Sequence, residues 1–181
     1  MRDDLQKILF SEEMIQRRVA VLGAEISRDY AGKTPVFIGI LKGCFMFFAD
    51  LTRRIDMKCE IRFLIASSYG FSSVTSGIVN IGSDLDFEIA GRDVILIEDI
   101  LDSGVTLSTL KELIAGYAPQ SLRICALLDK PSRRQVDVSA DYVGFVCPDE
   151  FLVGYGLDYA ECYRNLPFIA ALKPEIYSVD S

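Results

Sequence analysis

The residues with the richest chemistry are Glu98, Asp99, Asp102, Ser103 and Thr106, which stand close together in Val94-Ile95-Leu96-Ile97-Glu98-Asp99-Ile100-Leu101-Asp102-Ser103-Gly104-Val105-Thr106-Leu107. Two adjacent carboxylates can hold sugar hydroxyls or a hydrated Mg²⁺. The polar run from Asp102 to Thr106 brings hydroxyls and backbone N–H groups, which suit a phosphate where a loop opens a helix. Asp102 is then a spare acid beside that cradle, placed to move a proton. Such a segment is equipped to handle a phosphorylated sugar. The competing reading is ordinary loop acids capping a helix, since short motifs match by chance. The order of strand, acid pair, Asp-Ser-Gly-x-Thr and helix favours the specific reading.

Three further stretches carry chemistry. Leu41-Lys42-Gly43 follows an apolar strand, and glycine there exposes backbone amides to an anion that Lys42 would attract, although a plain turn with a solvated lysine is also compatible. In Lys130-Pro131-Ser132-Arg133-Arg134, Lys130 can donate to a carbonyl oxygen and Arg134 can meet a phosphate, against the reading of a solvated basic loop. In Phe151-Leu152-Val153-Gly154-Tyr155-Gly156-Leu157-Asp158, Phe151 can stack on a flat heterocycle or serve as core. Gly154-x-Gly156 lacks the third glycine of a dinucleotide fingerprint, and no Walker A pattern occurs. The chain has no histidine, so acid–base work falls to Asp, Glu, Lys, Tyr or Cys.

These groups need elements to position them. Ser11 before Glu12 and Glu13 predicts a helix start, with Ile15, Val19, Leu22 and Ile26 as its buried stripe and Gly32 as its stop. The apolar runs Val36–Ile40, Val94–Ile97, Leu122–Leu128, Tyr142–Val146 and Phe151–Tyr155 predict strands, as does the alternation of Ile61, Phe63 and Ile65. Cys44 to Ile55 predicts a mostly buried helix, and Leu107, Leu110, Ile114 and Tyr117 predict an amphipathic one. The segment 67–82 is rich in Ser, Gly and Thr and predicts a long lid-like loop. Strands alternating with helices predict an α/β fold, with a central, mainly parallel sheet flanked by helices. Ligands of such sheets sit at the carboxyl ends of the strands.

Composition narrows the class. The 181 residues are 50% hydrophobic, enough for a substantial core in what is most simply one domain, residues 1–181. The net charge of −7 makes the chain a poor candidate for a sequence-independent grip on nucleic acid. Cys44, Cys59, Cys125, Cys147 and Cys162 form no C-x-x-C pair, and buried free thiols in a reducing cytosol are expected. The charged start Met1-Arg2-Asp3-Asp4 leads into no signal-like core, and the apolar cluster from Cys44 to Ala49 is too short to span a bilayer. A soluble, cytoplasmic protein without a membrane partner is expected.

Taken in order, these pieces resemble the bacterial-type hypoxanthine/guanine phosphoribosyltransferases of the type I family. The resemblance runs from about the first helix to Leu172 through Leu41-Lys42-Gly43-Cys44-Phe45, Ser67-Ser68-Tyr69-Gly70, Ile97 to Thr106, Leu127 to Arg134 and Gly144 to Arg164. It implies the type I fold, with a small hood from the N-terminal and 148–181 segments and a flexible lid loop bearing Ser68 and Tyr69. It further implies transfer of ribose 5-phosphate from phosphoribosyl pyrophosphate (PRPP) to a 6-oxopurine, with Mg²⁺ as cofactor and a homodimer or homotetramer as the assembly. Glu98 and Asp99 would hold the ribose hydroxyls, and Asp102, Ser103, Gly104, Val105 and Thr106 the 5′-phosphate. Leu41, Lys42 and Gly43 would bind pyrophosphate across a non-proline cis peptide before Lys42, together with Arg134 and Arg164. Lys130, Phe151, Leu152 and Asp158 would bind the purine, and Glu98, Asp99 and Asp158 the metal. Asp102 would be the general base at purine N7. Cys44 stands where Ser or Gly is commoner in the family and would contribute mainly its backbone. Two other readings compete: a xanthine–guanine or pyrimidine-linked phosphoribosyltransferase, which the Lys130 and Phe151 motifs oppose, and a PRPP-sensing regulator, which the acidic balance and the full catalytic set oppose.

Overall fold

The structure is a computed structural model and describes residues 1–68, 79–81 and 88–178. Tyr69 and most of the expected lid 67–82 lie outside the described residues, while Ser68 ends a strand. The chain runs through β1 (Leu5–Phe10), α1 (Glu12–Asp29), β2 (Val36–Leu41), α2 (Phe45–Thr52), β3 (Glu60–Ser68), β4 (Val79–Ile81) and β5 (Asp93–Leu101). It continues through α3 (Val105–Ala115), β6 (Ser121–Asp129), β7 (Tyr142–Val146), β8 (Leu152–Val153), β9 (Ile169–Leu172) and α4 (Pro174–Tyr177).

The helix starting at Ser11 forms as its sequence dictates. Ser11 Oγ accepts the Met14 N–H at 3.3 Å, and Ile15, Val19, Leu22 and Ile26 are fully buried. The strands β3, β2, β5, β6 and β7 are parallel neighbours in that order, with β4 antiparallel at the β3 edge. Their side chains alternate between two cores. Phe37, Ile95, Ile97, Cys125 and Leu127 pack with α1 and α2, whereas Ile38, Val94, Leu96, Ile124 and Ala126 pack with α3. Helix α2 lies so close to β2 that a Cβ on Gly39 would sit 2.7 Å from the Phe48 ring.

The strand predicted over Val94–Ile97 extends to Leu101, because β6 offers ladder partners as far as Asp129. Glu98 and Asp99 therefore lie inside a strand rather than beyond its end. Conversely, only Leu152–Val153 of the predicted Phe151–Tyr155 strand pairs, because Gly154 (φ 100°) and Tyr155 (φ 51°) turn the chain. Tyr117 lies past the end of α3 and is exposed.

The connections lead from β2 to β3 on one side and from β5 through β6 to β7 on the other. The sheet thus changes direction between β2 and β5, and the crevice at their carboxyl ends is where an open α/β sheet binds its ligand. A second, antiparallel sheet of order β1-β9-β8 joins both terminal segments. Its Leu152, Ile169 and Ala171 share the α1 and α2 core, which seats this hood over the crevice.

The outer edge strand β7 is secured by Arg18 of α1, which donates to the carbonyls of Gly144 at 3.0 Å and Val143 at 2.7 Å. Arg18→Ala leaves those acceptors unpaired and is expected to lower the unfolding free energy by about 2 kcal/mol. Urea denaturation measures this, and an unchanged midpoint would show that the clamp contributes nothing.

Candidate active site

The site begins at the crevice between β2 and β5. The Leu41–Lys42 peptide is cis, as the resemblance implies, and the Phe45 N–H closes the following turn on the Lys42 carbonyl at 3.2 Å. Gly43 rests directly against the Asp99 carboxylate, where any Cβ would overlap it. Gly156 (φ 106°) of the hood sits equally tightly on the Gly43 carbonyl. Two glycines therefore let the Asp99 carboxylate pack on the Lys42 turn and the hood backbone pack on that turn's own backbone.

Asp99 is buried, with 8% of its surface exposed, and its Oδ1 accepts the Ile100 N–H at 2.9 Å. Glu98 keeps a narrow solvent opening. Burial, reinforced by the negative charge of Asp99, pushes its carboxyl well above the usual carboxylate range. Cys44, next to Gly43, is buried, and its thiol is pushed up first by burial and then by the charges of Glu98 and Asp99. It is an inert packing group.

The phosphate loop follows. Gly104 (φ 83°) is the N-cap of α3, so no side chain caps the helix, and Val105 and Thr106 form its first turn. The Val105 N–H reaches Ser103 Oγ at 3.4 Å, and the first helical bond runs from Ser108 to the Gly104 carbonyl at 2.8 Å. The amides of Thr106 and Leu107 stand ahead of that bond, which makes a ready anion site. Asp102 Oδ1 is buried with no hydrogen-bond partner among the described residues.

Arg134, expected to meet pyrophosphate, lies beneath the loop from Asp102 to Thr106. Its guanidinium pairs with Asp129 and donates to the carbonyls of Asp102 at 3.1 Å, Val138 at 2.5 Å and Leu101 at 3.4 Å. Its stem also packs against Gly104. Four acceptors of the protein take up this side chain beneath the loop, which makes it a support of the phosphate cradle.

At the base end, Lys130 has 6% of its surface exposed, and its Nζ donates to the Glu150 carbonyl at 2.9 Å. Phe151 is half-exposed, stacked on Tyr177 at 4.9 Å and met edge-on by Tyr159 at 5.5 Å. Leu152 is buried. Cys147 lies between the two ends of the site: burial pushes its thiol up to about 11, while the charge of Lys130 pulls it down and that of Asp102 pushes it up.

Around the hood turn, Asp158 Oδ1 pairs with Arg164 at 2.8 Å, and Arg164 also donates to the Gly156 carbonyl at 2.8 Å. Lys42 pairs with Glu161 at 3.0 Å. Glu161 and Asp129 are participants the sequence reading passed over. Neither lies in a spacing that singles it out; only the turn at residues 158–162 and the folding of Arg134 under the loop bring them in.

The phosphoribosyl transferase domain model matches residues 6–160. The chain is 54% identical over 98% of its length to the hypoxanthine-guanine phosphoribosyltransferase of Bacillus subtilis (strain 168), and covers 98% of that protein. It is 52% identical over 98% of its length to the bifunctional protein TilS/HprT of Listeria monocytogenes, of which it spans only 28%. A crystal structure of a hypoxanthine phosphoribosyltransferase from Staphylococcus aureus matches with a TM-score of 0.94 at 50% identity, covering 98% of this chain and 96% of that one. The chain belongs to the phosphoribosyl transferase domain family and, within it, to the hypoxanthine-guanine phosphoribosyltransferases.

Proposed function

We propose that this chain is a purine salvage enzyme that transfers ribose 5-phosphate from PRPP to N9 of hypoxanthine and/or guanine, giving IMP or GMP and pyrophosphate. The observation that carries this reading is the contact of Gly43 with the Asp99 carboxylate, which sets a diphosphate-binding turn directly beside a diol-binding acid pair. PRPP bears its diphosphate and its ribose hydroxyls on adjacent carbons, so its recognition requires that adjacency.

In this reading Glu98 and Asp99 accept the ribose hydroxyls, and Asp102 to Thr106 cradle the 5′-phosphate. The turn Leu41-Lys42-Gly43 and Arg164 hold the pyrophosphate. Arg134 positions the phosphate loop from below. Lys130, already fixed by one bond to Glu150, turns its remaining donors to the 6-oxo group, Phe151 stacks on the ring, and the Leu152 backbone and Asp158 lie at its edge. As pyrophosphate leaves C1 the sugar acquires oxocarbenium character, and Lys42 offsets charge on the leaving group. Asp102 takes or shares the proton at purine N7.

Mg²⁺ is the proposed cofactor. It needs only one or two carboxylates beside substrate phosphates and water, and Glu98, Asp99 and Asp158 supply hard oxygens of that kind. Among the described residues the three carboxylates form no single cluster and Asp158 is paired with Arg164 at 2.8 Å, so the adjacent Glu98 and Asp99 would be the protein's part of a site completed by substrate oxygens and water. The chemistry supplied by bound Mg²⁺ is neutralisation of charge on the departing diphosphate.

The proposed setting is cytoplasmic, and no described helix is long and apolar enough to cross a membrane. Residues 1–181 are proposed to act as one phosphoribosyltransferase domain. Assembly as a homodimer or homotetramer is supported by Ile61, Phe63 and Ile65, a stripe on β3 that is 43–49% exposed.

A spectrophotometric assay with PRPP and Mg²⁺ is expected to show turnover of hypoxanthine or guanine, abolished by a chelator, with adenine inert. An amino group at position 6 leaves the buried Lys130 donor unpaired, which supports large discrimination. Comparable turnover of adenine and hypoxanthine would defeat the base assignment. PRPP binding without turnover of any base would favour a regulator.

Asp102→Asn is expected to lower kcat about a hundredfold or more while PRPP binding survives. An intact kcat would remove Asp102 from the mechanism.

Glu98→Gln is expected to raise the melting temperature of the ligand-free protein at neutral pH by on the order of a few degrees while weakening PRPP binding. The sign follows from the raised carboxyl: its favourable contribution is present below the ordinary carboxylate pKa and is lost as pH rises through the elevated folded value. The gain should vanish in acid, and thermal melts at two pH values check it.

A further inference from the structure

Lys42 and Arg164 reach the cleft from opposite sides, one on the turn after β2 and the other on the segment between β8 and β9. One carboxylate bridges them, beside the Asp158 carboxylate that pairs with Arg164 alone at 2.8 Å. Glu161 Oε1 accepts from Lys42 Nζ at 3.0 Å, and Glu161 Oε2 accepts from Arg164 Nη2 at 3.3 Å. The turn aims Glu161 there: its backbone is left-handed at φ 62°, its N–H donates to Asp158 Oδ2 at 2.9 Å, and Tyr159 and Cys162 close a bridge around it. These two cations are the ones that the proposed function assigns to pyrophosphate.

We propose that Glu161 is an internal counter-anion that holds Lys42 and Arg164 when no diphosphate is bound and is displaced from them by pyrophosphate. The inference rests on the assignment of this site to pyrophosphate. Both Lys42 and Glu161 are 65% exposed, so a solvent-borne anion reaches the pair without unpacking a core. Glu161 brings a single charge, whereas a diphosphate brings several and can engage both cations at once. The exchange therefore favours the diphosphate but costs two existing contacts. Glu161 in this way weakens diphosphate binding, which eases release of the product. It is a positioning residue acting through Lys42 and Arg164. A merely structural turn residue predicts the opposite sign, because its loss would disorder the cations and weaken binding.

Titration calorimetry of magnesium pyrophosphate with the full chain tests this. Glu161→Gln is expected to tighten binding about threefold to tenfold, the scale of two exposed ion pairs. Product inhibition by pyrophosphate should tighten to match. Glu161→Asp, too short to span both cations, should shift the same way by less, and it serves as the test if Glu161→Gln fails to fold. In a Lys42→Met background the gain from Glu161→Gln should shrink. Unchanged or weaker binding by a variant that melts like the wild type overturns the inference. An undiminished gain in the Lys42→Met background also overturns it, since that marks a general field effect. Tight binding by the wild type with no gain in the variants overturns this inference alone; no pyrophosphate binding by the wild type overturns the site assignment as well.

Discussion

Two carboxylates held side by side in a protein interior repel each other and lose their water. Glu98 shows the effect, its carboxyl raised first by burial and then by the Asp99 charge, and the rest of the site is arranged around the pair. The pair cannot drift into solvent, because β5 continues through it to Leu101 in register with β6. Nor can the neighbouring turn retreat, since Gly43 is packed on Asp99 and Gly156 on Gly43. A ligand that brings hydroxyl donors or a cation to this place therefore removes a penalty as well as adding contacts. The same argument explains why the pair sits at the sheet's change of direction, where diverging connections leave a crevice beside two parallel strand ends.

The phosphate loop solves a second electrostatic problem. A carboxylate serves as a base near neutral pH only if it is not tied to a cation that makes it a weaker base. Arg134 lies under Asp102 yet donates to its backbone carbonyl, while the guanidinium charge is met by Asp129. Support for the loop is thereby separated from the Asp102 carboxylate, the base proposed above. The Asp102 Oδ1 has no hydrogen-bond partner among the described residues, which is costly in a fold and suits the proton acceptor proposed for it.

The layout of the molecule was legible where one strand or helix carries its own pattern. The buried runs of β2, β5 and β6 and the stripe of α1 stand out by periodicity. Glu98, Asp99 and Asp102 to Thr106 were legible as a unit because their chemistry lies within a few residues. What stayed hidden depends on partners distant in sequence. The extension of β5 required β6 as a neighbour, the shortening at Phe151–Tyr155 required the turn at Gly154, and the burial of Arg134 under its loop required Asp129 and Val138. Glu161 was invisible for the same reason: its role comes from Lys42, on the other side of the crevice.

That dependence on distant partners also explains why the hood is needed. The main sheet alone can offer a phosphate loop, an acid pair and a diphosphate turn. The proposed base subsite draws on more than that sheet. The hood contributes to it: Phe151 projects from its edge, backed by Tyr177, while Lys130 crosses from the end of β6 to the Glu150 carbonyl. Because Gly156 of the same hood bears on Gly43, the proposed base and diphosphate subsites meet at one close backbone contact. In the proposed reaction such a contact sets the two subsites relative to each other, which is the requirement for bringing a purine nitrogen onto a sugar carbon as the diphosphate leaves from its opposite face.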